Sequence, residues 1–157
     1  MAYERLDEAL RQLKIDRERQ EATEKRRKEA DAEAKLRFAR IKSGVIGPIF
    51  DEVAARLAAE GFFGETVDEQ NDASGPISLN VNLSEDEGFT QQGSLQVRFD
   101  SEKCTCEFGR STMAERSATN QMVFDDRQHK CDEMTEELVR AIAEQFVLDL
   151  IAGKLFR

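Results

Sequence analysis

The chain has 157 residues, 39% of them hydrophobic and 35% charged, with 32 acidic side chains against 23 basic ones and a formal net charge of −9. The mean hydropathy of −0.60 and the lack of any apolar run near the ~18 residues of a bilayer-spanning helix exclude an integral membrane helix. The charged start MAYERLDEAL does not read as a signal peptide, and three cysteines do not make a disulfide framework, so the expectation is a cytoplasmic protein in a reducing compartment.

The charge divides along the chain. Residues 1–43 carry 13 basic and 10 acidic side chains, net +3, and residues 44–157 carry 10 and 22, net −12. The second part repels phosphate backbones, which makes nucleic acid a poor partner and no membrane partner is expected. The expected organisation is an extended helical arm over 1–43 and a small α+β domain over 44–157.

No Gly or Pro occurs between Met1 and Lys42, and Ala, Glu, Lys, Arg, Gln and Leu dominate, so the segment predicts one long helix. Acids stand four residues before bases in Asp7–Arg11, Glu21–Lys25, Glu24–Lys28, Asp31–Lys35 and Glu33–Arg37, the favourable order for helical ion pairs. At ~1.5 Å per residue such a helix is about 63 Å long, more than the width of the domain that follows. Its apolar positions lie at the two ends. Leu6, Leu10 and Leu13 have 4,3 spacing; the same frame then passes through Arg17, Gln20, Glu24, Arg27 and Asp31 before Ala34, Phe38 and Ile41. A sustained coiled-coil seam is apolar throughout, so this is a coiled-coil-like arm with two apolar tips. Leu6, Leu10, Leu13, Phe38 and Ile41 are the expected self-association contacts of a homodimer.

Ser43-Gly44-Val45-Ile46-Gly47-Pro48 reads as a helix break, with a kinked helix running straight through, or a hinge that lets the arm swing, as the lesser alternatives. Pro48–Glu60 follows as an amphipathic helix with Ile49, Phe50, Val53 and Leu57 on one side, and Gly61 as its stop. Strand alternation is clearest in Ile77, Leu79, Val81 and Leu83. It recurs in Leu95, Val97 and Phe99 and, after a turn at Asp100–Lys103, in Cys104, Cys106 and Phe108. Met122 and Phe124 mark a short last strand, Phe63–Val67 an edge strand. Polar loops are expected at Asp68–Gly75, Glu85–Gly93 and Ser111–Ser117. Asp132–Ala152 predicts a final helix ended by Gly153. Its wide apolar arc predicts contacts on two sides, and the tail Leu155-Phe156-Arg157 needs a place to pack. The expected fold class is α+β: the long N-terminal charged helix, then a two-layer body of helix, three- to five-stranded antiparallel sheet and C-terminal helix.

Chemistry-bearing signals are sparse. Cys104-x-Cys106 with His129-x-Cys131 supplies four ligands of the kind a tetrahedral zinc takes, with Cys104 and Cys106 on one face of a strand and His129 at a helix start. Against zinc, the spacing is unusual, and Cys behaves as a small buried hydrophobe. The acidic groups Glu85-Asp86-Glu87, Asp125-Asp126 and Glu136-Glu137 read as solvated charge, and the stretch from Asp68 lacks the glycine and glutamate of a calcium loop. Phosphate-binding glycine signatures and a nucleophile motif are lacking. The sequence therefore predicts no catalytic, cofactor or metal residues. It predicts a non-enzymatic protein-interaction module that self-associates through its N-terminal helix. An acidic decoy of nucleic acid for a basic partner and a zinc-binding domain are the alternatives.

Overall fold

The computed structural model describes residues 2–68, 73–84, 91–112 and 122–153. Half of the expected loop at Asp68–Gly75, most of those at Glu85–Gly93 and Ser111–Ser117, and all of the cluster Glu85-Asp86-Glu87 and the tail Leu155-Phe156-Arg157 lie outside these residues.

Helix α1 runs from Glu4 to Ile41, 38 residues of strong helix formers with Glu4 and Asp7 in the first turn, where carboxylates favour the helix dipole. Chain contacts group the residues into two compact units, Met1–Ala34 and Lys35–Arg157. In the first unit, Arg11 pairs with Glu8, and Arg27 Nη2 lies 2.6 Å from Glu24 Oε1. The hydrogen bond and charge of Arg27 hold the Glu24 carboxyl below its ordinary range.

The second unit corrects one sequence expectation. Ser43–Pro48 does not break the helix: a π-helical turn over Lys42–Ile46 leads directly into α2, Gly47–Ala59. The backbone stays right-handed at Ile41, Ile46 and Gly47, and the Gly47 N–H donates to the Lys42 carbonyl. Proline lacks the donor for an i−4 bond, and its ring crowds that carbonyl. The wider π turn accommodates it. The residue before proline normally avoids the helical region because its Cβ meets the proline ring; Gly47 has none.

The π turn also buries a charge. Lys42 is only 5% exposed, and its Nζ donates to Asp68 Oδ1 at 2.8 Å and to the Gly75 carbonyl at 3.2 Å. It ties the helical junction to the end of the first strand and the start of the second. Lys42→Met keeps the stem and removes the donors, leaving the Gly75 carbonyl short of a partner. It is expected to cost about 1–3 kcal/mol, read as a lower urea midpoint.

Five strands follow: β1 Phe63–Asp68, β2 Ile77–Asn82, β3 Gln92–Asp100, β4 Thr105–Thr112 and β5 Val123–Lys130. They form one antiparallel meander in chain order. Alternation decides the faces. Ile77, Leu79, Val81, Leu95, Val97, Cys106 and Phe108 point to the core, with Ile77 opposite Val97 and Val97 opposite Phe108. Gly64 lies where α2 crosses β1: a Cβ there would stand 2.9 Å from Ala54 Cα, so Gly64→Ala forces the layers apart and is expected to lower stability by about 1–3 kcal/mol.

The final helix begins later than its apolar pattern suggested. A short 3-10 turn, Cys131–Glu133, precedes α3, Glu136–Ala152. The Thr135 hydroxyl accepts from the Leu138 N–H at 3.2 Å as the N-cap, and Gly153 closes the helix with a left-handed φ of 65°, the conformation that favours glycine there. Val139, Ala143, Phe146 and Leu150 form the buried line, while Leu148 and Ile151 are exposed. Helices α2 and α3 cover one face of the sheet, giving the α+β, two-layer arrangement, with the core between helices and strands.

Candidate functional site

Four places combine exposure or chemistry with a defined geometry. The first is the start of α1. Leu6, Leu10 and Leu13 are 53%, 48% and 45% exposed, and Tyr3, one helical turn before Leu6, is exposed too. Three leucines at 4,3 spacing form a stripe along a helix whose other positions here are mainly charged or polar.

The other two expected arm contacts lie elsewhere. Phe38 is fully buried in the core of the second unit, its ring stacked on Phe99 with centroids 4.7 Å apart and planes within 2°. Ile41 packs against the same core. Both positions are occupied by the chain's own body, so they leave the set of surface contacts. Arg37, expected to pair with Glu33, instead places Nη2 2.7 Å from Asp132 Oδ1 beside the 3-10 turn.

The second place gathers the cysteines, with two corrections. Cys104 is not on the strand with Cys106; it ends the β3–β4 turn with a left-handed φ of 54°. His129 is not at a helix start; it lies in β5, directly opposite Cys106. Cys104 Sγ and Cys131 Sγ are 3.8 Å apart, and the Cys131 thiol donates to the Cys104 carbonyl at 3.7 Å. The His129 ring packs nearly perpendicular to the Phe108 ring, with centroids 5.6 Å apart, and its Nδ1 lies 3.7 Å from Glu133 Oε2. Among the described residues, no group of three or more His, Cys, Asp or Glu is placed to hold a metal.

Burial pushes the Cys131 thiol up from 9.0 to about 11, with the neighbouring Cys104 adding to the effect. The Cys106 thiol is raised further, again mainly by burial. Both thiols are therefore neutral at pH 7. The unfolded chain ionises them more readily than the folded one, so folding is disfavoured as pH rises through the unfolded value. Stability is expected to fall between about pH 9 and 11, with a shallower decline in Cys131→Ala, as urea titrations at each pH would show.

The third place is the sheet's outer face. Arg98, Glu107 and Gln128 form a cross-strand row. Arg98 Nε and Nη2 donate to Glu107 Oε2 at 2.8 and 2.5 Å, and Gln128 Nε2 donates to Glu107 Oε1 at 2.8 Å. The Arg98 guanidinium also lies 3.4 Å from the centre of the Phe124 ring. That ring covers Gly109, where a Cβ would stand 2.7 Å from it. Both carboxylate oxygens of Glu107 are thus occupied by neighbours within the row.

No family model matches the chain, and neither does any curated protein or solved structure. The functional reading therefore rests on geometry.

The fourth place is a groove of about 400 Å³ between α2 and α3, floored by Val53, Leu57, Val147 and Leu148 and flanked by Glu52, Arg56, Arg140 and Glu144. Arg140 Nη2 reaches Glu52 Oε2 at 3.4 Å across it. The second helix thus supplies one of the two contacts expected from the wide arc of α3. No helix among the described residues is long and apolar enough to cross a membrane.

Sequence reasoning missed Lys42 and the Arg98–Glu107–Gln128 row, whereas the zinc alternative already grouped Cys104 with Cys131. The row had a signal in the alternation that placed Arg98 on the polar side of its strand. Lys42 had none, since a lysine at the end of a charged helix reads as solvated.

Proposed function

We propose that this chain is a non-enzymatic, cytoplasmic interaction module that self-associates through the start of its N-terminal helix. The observation that supports this reading is the exposed stripe Leu6, Leu10 and Leu13. A second copy is its occupant, because a 4,3 leucine seam fits an identical helix through knobs-into-holes packing. Full burial of a leucine contributes about 1.5–3 kcal/mol, and each of these is already about half covered. Six leucines across two chains then contribute roughly 5–9 kcal/mol, against an association cost of about 4–15 kcal/mol. The leucines alone fall short of micromolar affinity, so in the expected micromolar homodimer Tyr3 and the helix flanks supply the remaining contact.

The test is equilibrium sedimentation of the full chain, wild type against Leu6→Glu/Leu10→Glu. A concentration-dependent dimer that the double substitution abolishes supports the reading. A wild type that remains monomeric through the micromolar range removes it.

A further inference from the structure

The three thiols lie close together: Cys104 and Cys131, 27 positions apart in sequence, have their sulfurs 3.8 Å apart, and Cys131 also interacts with Cys106. Cys104 ends a surface turn and is half-buried, so small solutes reach its sulfur; Cys131 lies beneath it and Cys106 is fully buried on β4. A disulfide needs the two sulfurs at about 2.05 Å, which from 3.8 Å is a closure of about 1.8 Å. Cys104 belongs to the four-residue turn joining β3 to β4, and Cys131 opens the short 3-10 turn after β5. Neither is held in the middle of a strand or long helix, so both can supply that movement. Cys106 is held in the sheet by a paired strand on each side, opposite Phe99 on β3 and His129 on β5, and does not have that freedom.

We propose that Cys104 and Cys131 form a reversible dithiol–disulfide modification site that reacts with hydrogen peroxide, with Cys104 as the attacking sulfur. The Cys104 sulfur attacks one peroxide oxygen. The O–O bond breaks, leaving a sulfenic acid on Cys104 and releasing water that carries the thiol proton. The Cys131 sulfur then attacks the Cys104 sulfur. The S–S bond forms, the S–O bond breaks, and hydroxide leaves with the Cys131 proton as a second water. The pair loses two electrons and two protons, and the peroxide takes up both. A small dithiol reverses the reaction by exchange through a mixed disulfide. The order of attack follows from access: Cys104 meets solvent, whereas Cys131 is covered and its thiol points at the Cys104 carbonyl. The product staples the β3–β4 turn to the β5–α3 junction, next to the Arg37–Asp132 ion pair.

The test treats the intact protein with hydrogen peroxide, then counts free thiols in denaturant and maps the product by mass spectrometry under non-reducing conditions. The expected result is a fall from three titratable thiols to one, a mass lower by two hydrogens, and a single intrachain Cys104–Cys131 peptide pair, all reversed by dithiothreitol. Cys106→Ala is expected to form the same link, and Cys104→Ala, altered at a partly exposed position, to lose it. Oxygen added to Cys104 without a link, a link through Cys106, or a link between two chains would each overturn the proposal. The Cys104→Ala result, together with the mapped wild-type product, keeps it falsifiable should Cys106→Ala fail to fold.

Discussion

The Leu6→Glu/Leu10→Glu variant is expected to sediment as a monomer at concentrations where the wild type is largely dimeric. In a two-chain seam the double change removes four leucines and introduces four carboxylates, with like charges facing one another. Each lost contact costs about 1 kcal/mol for half-buried leucine, and the carboxylates add desolvation and repulsion. A total of at least about 4 kcal/mol corresponds to a dissociation constant raised roughly 1,000-fold or more. The fold itself should not respond. Leu6 and Leu10 are 53% and 48% exposed within the chain, and glutamate is nearly as good a helix former as leucine. Far-ultraviolet circular dichroism is therefore expected to match the wild type. Arg17→Glu, on the polar continuation of the same frame, serves as the control and is expected to leave the dimer intact. A double variant that still dimerises would place the contact elsewhere on the molecule, with the α2–α3 groove as the next surface to alter.

The element order was legible because each element carries its own period. Ile77, Leu79, Val81 and Leu83 alternate strictly, and all four are buried. The long run without Gly or Pro forms α1 as expected. The differences arise where two local signals compete. Gly44, Gly47 and Pro48 each disfavour an α-helix, yet together they fit a π turn, since the proline removes one bond and Gly47 accepts the strained position before it. Strand β5 extends through Asp125–Lys130, a polar stretch on the sheet edge with no apolar alternation to reveal it. That extension moved His129 from a helix start to a strand, opposite Cys106. Phe38 shows a further ambiguity. An apolar residue in a heptad frame has the same sequence signature whether it meets another chain or its own core. Only the register of Phe99, opposite Cys106 on the core side of the sheet, decides between them.

That decision makes Phe38→Ala the most destabilising single change expected here. The side chain is fully buried, stacked face to face with Phe99, and part of the cluster that includes Ile46, Phe50 and Phe108. Truncating a buried phenylalanine costs about 3–5 kcal/mol through lost transfer energy and the cavity left behind. Domains of this kind have only about 5–15 kcal/mol in total, so the variant is expected to show a much lower urea midpoint and some unfolded population without denaturant. Leu36→Ala, two residues away but 53% exposed, is expected to change stability by no more than about 0.5 kcal/mol. The contrast separates the two roles an apolar residue near the end of α1 can have. A Phe38 held by another chain would, on truncation, shift the sedimentation equilibrium and leave the urea midpoint of the dilute monomer unchanged. A Phe38 held by Phe99 lowers that midpoint at every protein concentration, including concentrations at which no dimer is present.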